Sequence, residues 1–445
     1  MKKRRDPMDT VIESALQPGR FIDWKQGHSF LHGLSKVKHE IEALVASKPE
    51  RAVYLYETFV AACELKADEI DDSDGKFGMF AGNLLRGWIK ARQAAAADAD
   101  MTAQTLLSWM EKDDYGFCTD LKSDAAKVLD RTGLASFERA VRAHFESACL
   151  KPEERVGGYY RDFWGQALRS IYAQQRNIEK YLALTARTSP TPADCEVIAT
   201  IFQAKRKPDE ALVWLERGIE MDKSGSSPSL EGYRLPKLRR QLLAKLGRES
   251  EALDSAWAAF LANPSKFSCD ELFSYVPKDE RASWHEKAMA ASERANLSIL
   301  IELWLSVKEI ERLADRLNRA SDRELEGLGH YTTEPAAKRL VRTHPATAAK
   351  VFRVMCVRIL NAGNSKYYDA ALANIEAARE CYLAAGLDEL WRKTSTEIRR
   401  EHHRKSGFMP GFEQIVAGKR ALPQPSFLDR ARAQWASKGR PLGIR

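Results

Sequence analysis

Long apolar runs are missing from this 445-residue sequence. No window approaches 18 consecutive apolar residues, so no membrane-spanning helix is expected and no membrane partner. Glycine and proline, at 25 and 17 residues, are too scarce for a fibrous or largely disordered chain. The seven cysteines (Cys63, Cys118, Cys149, Cys195, Cys269, Cys356, Cys381) stand no closer than 25 residues apart. That spacing contains no CxxC or CxC, which excludes a zinc ribbon and a secreted disulfide framework and leaves reduced thiols in helices. Phosphate-cradling loops and nucleophile elbows are also lacking: "GLGHYT" (Gly327–Thr332) fails GxGxxG at its last position, and GxxxxGK[ST] and GxSxG do not occur. The opening "MKKRRDPMDT" begins like a signal peptide, but Asp6, Pro7 and Asp9 stand where an apolar stretch is needed, so a cytoplasmic protein is expected.

Alternating, β-branched runs are scarce as well, and what fills the sequence instead has a helical period. In "ESEALDSAWAAFLANP", Leu253, Trp257, Phe260 and Leu261 form one stripe, and Asn263-Pro264 ends it. Leu212, Leu215 and Ile219 repeat the pattern, as do Ala371, Ile375, Ala378 and Tyr382. Short turns between long helices mean antiparallel hairpins. The expected fold is therefore all-α. Small residues recur seven positions apart at Ala211/Gly218, Ala252/Ala259 and Ala371/Ala378, each pair opening the second helix of a hairpin. Side chains that small let a neighbouring helix approach closely. The spacing resembles tetratricopeptide repeats, in degenerate form with insertions, and leads to the expectation of hairpins stacked as a TPR-like α-solenoid. The expected division is a basic disordered N-terminus over 1–17, an N-terminal helical domain over 18–155, a TPR-like region over 156–405 and a basic C-terminal cap and tail over 406–445. "KSGSSPSLEG" (Lys223–Gly232) reads as a flexible linker between hairpins.

Candidate chemistry is thin. "DDSDGKFG" (Asp71–Gly78) looks like a calcium loop, but the alignment puts Ile70 at its first position and Ala81 where a bidentate glutamate is required. An acidic inter-helix turn is the reading. In "WHEKAM", Met289 stands where a zincin needs its second histidine after His285. "FIDWKQGHSFLHGL" interleaves Phe21, Trp24 and Phe30 with His28 and His32, a helical face with no third metal ligand in view. No cofactor and no metal is expected.

Charge is unevenly placed. The formal net charge is +8, but residues 391–445 alone carry +9 and the first six residues +3, leaving −4 for the remainder. "EIRREHHRKSGFMPGF" concentrates the excess in Arg399, Arg400, Arg404 and Lys405 around His402 and His403. Adjacent histidines on a helix point about 100° apart and do not chelate one ion together. These six residues are the candidate contact for an acidic partner or nucleic acid. Cations at a helix C-terminus also complement its dipole, so a purely structural role is the competing reading.

Several strings taken together, "FIDWKQGHSFLHGL", "IDDSDGKFGMF", "WIKARQAA", "IELWLSVKEIERL", "GHYTTEPAAKRL", "NAGNSKYYDAAL" and "REHHRKSGFMPGFEQIVAG", resemble an uncharacterised bacterial family, a domain of unknown function. Some of its relatives occur with or near a SWIM zinc finger. Such a finger needs Cys-x-Cys followed by Cys-x-His, which this sequence lacks, so zinc is not carried over. The resemblance implies a bacterial, cytoplasmic, helical protein that works beside a nucleic-acid-linked partner. The functional expectation is a non-enzymatic helical scaffold for a protein partner. The alternative is a nucleic-acid-associated accessory protein that uses its basic C-terminal region.

Overall fold

A computed structural model describes residues 7–150, 155–224 and 231–419 of the chain. Contacts divide it into two compact units, Met1–Leu242 and Leu243–Arg445. The first unit opens with α1 (Pro7–Ala15), α2 (Trp24–Leu44), α3 (Pro49–Lys66) and α4 (Lys76–Ala94). Next come α5 (Ala99–Glu111), α6 (Leu121–Val128), α7 (Arg131–Cys149) and α8 (Arg155–Gln174). It continues through α9 (Ile178–Thr188), α10 (Pro192–Ala204) and α11 (Pro208–Lys223), and the boundary falls within α12 (Glu231–Lys245). The second unit runs through α13 (Glu249–Ala262), α14 (Lys266–Tyr275), α15 (Arg281–Ser292), α16 (Leu297–Val307), α17 (Ile310–Arg319) and α18 (Asp322–Glu326). It ends with α19 (His330–Leu340), α20 (Pro345–Ala362), α21 (Tyr368–Ala384), α22 (Asp388–His402) and α23 (Met409–Val416). Among the described residues there is no strand, only an isolated parallel bridge between Ile22 and Ile70.

The helix ends follow from capping chemistry. The side chains of Asp23, Asp98, Asp130, Asn177, Thr191, Ser265, Asn296 and Ser321 accept N–H groups at helix starts, each contributing about 0.5–2 kcal/mol. Pro49, Pro192, Pro208 and Pro345 occupy first turns, where no hydrogen bond is lost. α10 packs against α11 and α20 against α21 as hairpins. The small residues predicted to permit this are buried on α11 (Ala211, Gly218) and α21 (Ala371, Ala378). A Cβ on Gly218 would stand 2.8 Å from the Cβ of Cys195 on α10. At Gly363 the chain leaves α20 with φ of 70°, the left-handed turn that glycine makes without strain.

Two boundaries differ from the sequence reading. Residues 7–15 are helical rather than disordered, because Ile12 and Leu16, one turn apart, bury at 0% and 2% exposure against the first core. The expected break at 155/156 does not separate anything: α8 packs on α6 and α7. The division lies instead at Leu242/Leu243. The linker residues 225–230, the basic residues 1–6 and the tail from 420 onward lie outside the described residues.

Each unit has its own core. Trp88 and Trp164 anchor the first and Trp304 the second, all at most 1% exposed. Buried indole N–H groups need acceptors: Trp88 Nε1 donates to Glu57 at 3.0 Å and Trp304 Nε1 to Ser292 Oγ at 3.1 Å. At the end of the second unit, Phe408 and Phe412 are fully buried and stack on each other beside Tyr368 and Trp391.

Candidate functional site

Two strings nearly fifty residues apart in sequence meet in the first unit. Ile22 N–H donates to Glu69 O at 2.8 Å and Asp71 N–H donates to Ile22 O at 2.9 Å, closing the parallel bridge. Beneath it Lys66, only 2% exposed, donates to the carbonyls of Gln17 at 2.9 Å and Arg20 at 2.6 Å and to Glu69 at 2.6 Å. Glu69 in turn accepts the Gly19 N–H with both carboxylate oxygens, at 2.7 and 2.8 Å. The Lys66 ammonium first, and the Gly19 N–H second, hold the Glu69 carboxyl below its usual range. A buried ammonium with three acceptors persists only because all of them are in place. The segment before α2 is thereby clamped onto the end of α3.

The calcium-like loop turns out to be a helix start. Asp72 accepts the N–H groups of Phe77 at 2.7 Å and Gly78 at 2.9 Å, and Asp74 accepts that of Lys76 at 3.2 Å. Their oxygens satisfy otherwise unpaired donors in the first turn of α4, as carboxylates at a positive helix end do. Gly78 leaves room for this: a Cβ there would lie 3.3 Å from Asp72 Oδ2. Among the described residues no three His, Cys, Asp or Glu side chains converge as metal ligands.

Between the start of α2 and this loop lies a groove of about 480 Å³, walled by Trp24, His28, Phe30, Ile70, Asp72 and Phe77 among others. Its lip is apolar and open, with Trp24 68% exposed. Asp71, Asp72 and Asp74 line it against Lys25 and Lys76. Asp68, two residues from Ile70 in sequence, raises the pKa of the Tyr115 hydroxyl. Burial raises the Glu64 carboxyl, and the neighbouring Asp113 and Asp114 raise it further. His28 and His32 share α2 but both are exposed, so their four-residue spacing reflects a solvated face.

The basic candidates of the second unit are dispersed by their surroundings. Arg399 donates to both oxygens of Glu413 at 2.8 and 2.7 Å, tying α22 to α23. Arg400 pairs with Glu401 at 2.9 Å. His402 corrects the expectation of a surface contact: it is 7% exposed, and burial depresses its pKa from the ordinary imidazole value. His403 lies exposed with Nδ1 3.1 Å from Arg400 O. Arg404 is exposed and Lys405 half-buried. Alternating inside and outside around the last turn of a helix is what separates His402 from its neighbours.

Sequence reading treated the aromatic string and the acidic loop as separate features and missed that they form one groove. The Ile22–Ile70 bridge that joins them leaves no pattern in the sequence. Lys66 carried a signal, a lysine on the apolar face of α3, three residues after Cys63 at the helix end.

One protein family has a profile that matches residues 13–410. The chain belongs to that family, DUF6880, a family of unknown function. The DUF6880 match takes in both walls of the groove and also residues 399–405 of the basic region. No curated protein matches the chain. Among the described residues no helix is long and apolar enough to cross a membrane.

Proposed function

We propose that this DUF6880 chain is a non-enzymatic, tetratricopeptide-like helical scaffold, and that its N-terminal groove captures a cationic stretch of a partner protein. The observation that carries the reading is the groove itself: an open aromatic lip over an acidic wall. Exposed Trp24 offers a π face and apolar area to an incoming Lys or Arg stem. Three aspartates against two lysines along the groove favour a positive ligand. Small residues between α10 and α11 and between α20 and α21 support the hairpin-array part of the reading.

The experiment is affinity capture from the native host with full-length chain, repeated after nuclease treatment and with Trp24→Ala and Asp74→Lys variants. A partner retained after nuclease and lost with both variants supports the groove. Capture that nuclease abolishes, together with salt-dependent retardation of duplex DNA that weakens in an Arg400→Glu, Arg404→Glu variant, replaces this reading with the nucleic-acid one.

A further inference from the structure

We propose that a second cleft of the first unit, between the C-terminal half of α2, α3 and α4, binds a small molecule through an oxyanion, a phosphate or a carboxylate group. The argument starts from Tyr56. Its side chain is wholly buried at 0% exposure, and its hydroxyl has no hydrogen-bond partner among the described residues. A phenolic O–H without an acceptor is a standing cost to a fold, and native structures keep such groups for a reason. Room for it is built in at Gly87 of α4, where a Cβ would stand 2.5 Å from the Tyr56 Oη. The glycine lets the tip of the ring reach the wall of a cleft of about 380 Å³.

The other polar groups at this cleft select the sign of the ligand. Lys38, Arg86 and Lys90 line it, against Glu42. Lys38 is paired with Glu42 at 2.6 Å and Arg86 with Asp124 at 3.0 Å. Lys90 is exposed and makes no ion pair among the described residues. The unpartnered O–H donor needs an acceptor, and Lys90 lining the same cleft favours one that carries negative charge. Burial, with Glu42 second, pushes the Tyr56 hydroxyl above its ordinary range. A cationic ligand would leave that donor unanswered and would meet three positive side chains.

The test is calorimetric titration of the full chain, at low chloride, with inorganic pyrophosphate and separately with malonate. At least one probe is expected to bind at a single site; pyrophosphate alone points to a phosphorylated ligand and malonate alone to a carboxylated one. Tyr56→Phe removes only the hydroxyl and keeps the packing, so thermal melting should show an intact fold. It and Lys90→Gln should each weaken the bound probe by about tenfold, the worth of one hydrogen bond to a charged group. No binding of either probe, or unchanged affinity in both variants, overturns the proposal. So does a crystal structure of pyrophosphate-soaked protein with only an ordered water against the Tyr56 hydroxyl.

Discussion

Replacing Gly87 by alanine should destabilise the first unit, while the same change at Gly33 should stabilise it. Both glycines lie inside long helices, Gly33 in α2 and Gly87 in α4. Alanine gains about 1 kcal/mol over glycine in a helix interior, and at Gly33 nothing stands within 4 Å of the new Cβ to oppose that gain. At Gly87 the Cβ would meet Tyr56 Cζ at 2.5 Å, Oη at 2.5 Å and Cε1 at 2.7 Å. Three atoms of one rigid ring cannot be avoided by a rotamer change, so the ring or α4 must move. Overpacking of this kind costs about 1–3 kcal/mol, and the upper end applies to a fully buried ring. After the helix gain is subtracted, the net loss is about 1–2 kcal/mol. For a unit of this size that is a fall of about 2–8 °C in Tm, against a rise of about 2–4 °C for Gly33→Ala. Denaturant unfolding followed by tryptophan fluorescence measures both. A double variant identifies the cause: Tyr56→Leu removes the clashing atoms, so it should cost far less in the Gly87→Ala background than in the wild type. Equal stability changes at Gly33 and Gly87, or no coupling to Tyr56, would refute the steric argument.

Three more outcomes are expected. His402 has its pKa depressed from the ordinary 6.5 by burial, so the unfolded chain binds its proton first; stability is fully present above that pH and falls as pH drops below it. A His402→Leu variant should lose less stability than the wild type between neutral and mildly acidic pH, measured by denaturant midpoints. Six of the seven thiols are buried and Cys149 is intermediate, so a thiol reagent should modify one cysteine quickly in the native protein and the others only on unfolding. Lys66→Met leaves the carbonyls of Gln17 and Arg20 without their donor, so amide exchange at Gly19, Ile22 and Asp71 should quicken and the affinity for a groove ligand should fall.

The helices were legible because helical periodicity and capping are local. The stop at Asn263-Pro264 and the burial of Ala211, Ala371 and Phe260 need only neighbours within two turns. Leu261 shows the limit: it shares the apolar stripe of α13 yet is 49% exposed, since a stripe does not say how wide the neighbour covering it is. The acidic loop was readable as a turn but not as the cap of α4, because the acceptor role of Asp72 depends on how the chain closes back on Phe77 and Gly78.

What the amino-acid order determined alone was the all-helical character, the hairpin turns, the cysteine chemistry and the basic charge at the ends. Tertiary structure decided which of those charges still face outward and which motifs meet. Arg399 is matched by Glu413 fourteen residues on, His402 is turned inward, and Ile22 finds Ile70 across the whole length of α2 and α3. The physical reason is range: helix formation is set by contacts one turn apart, whereas a groove or an ion pair requires segments that only packing brings together.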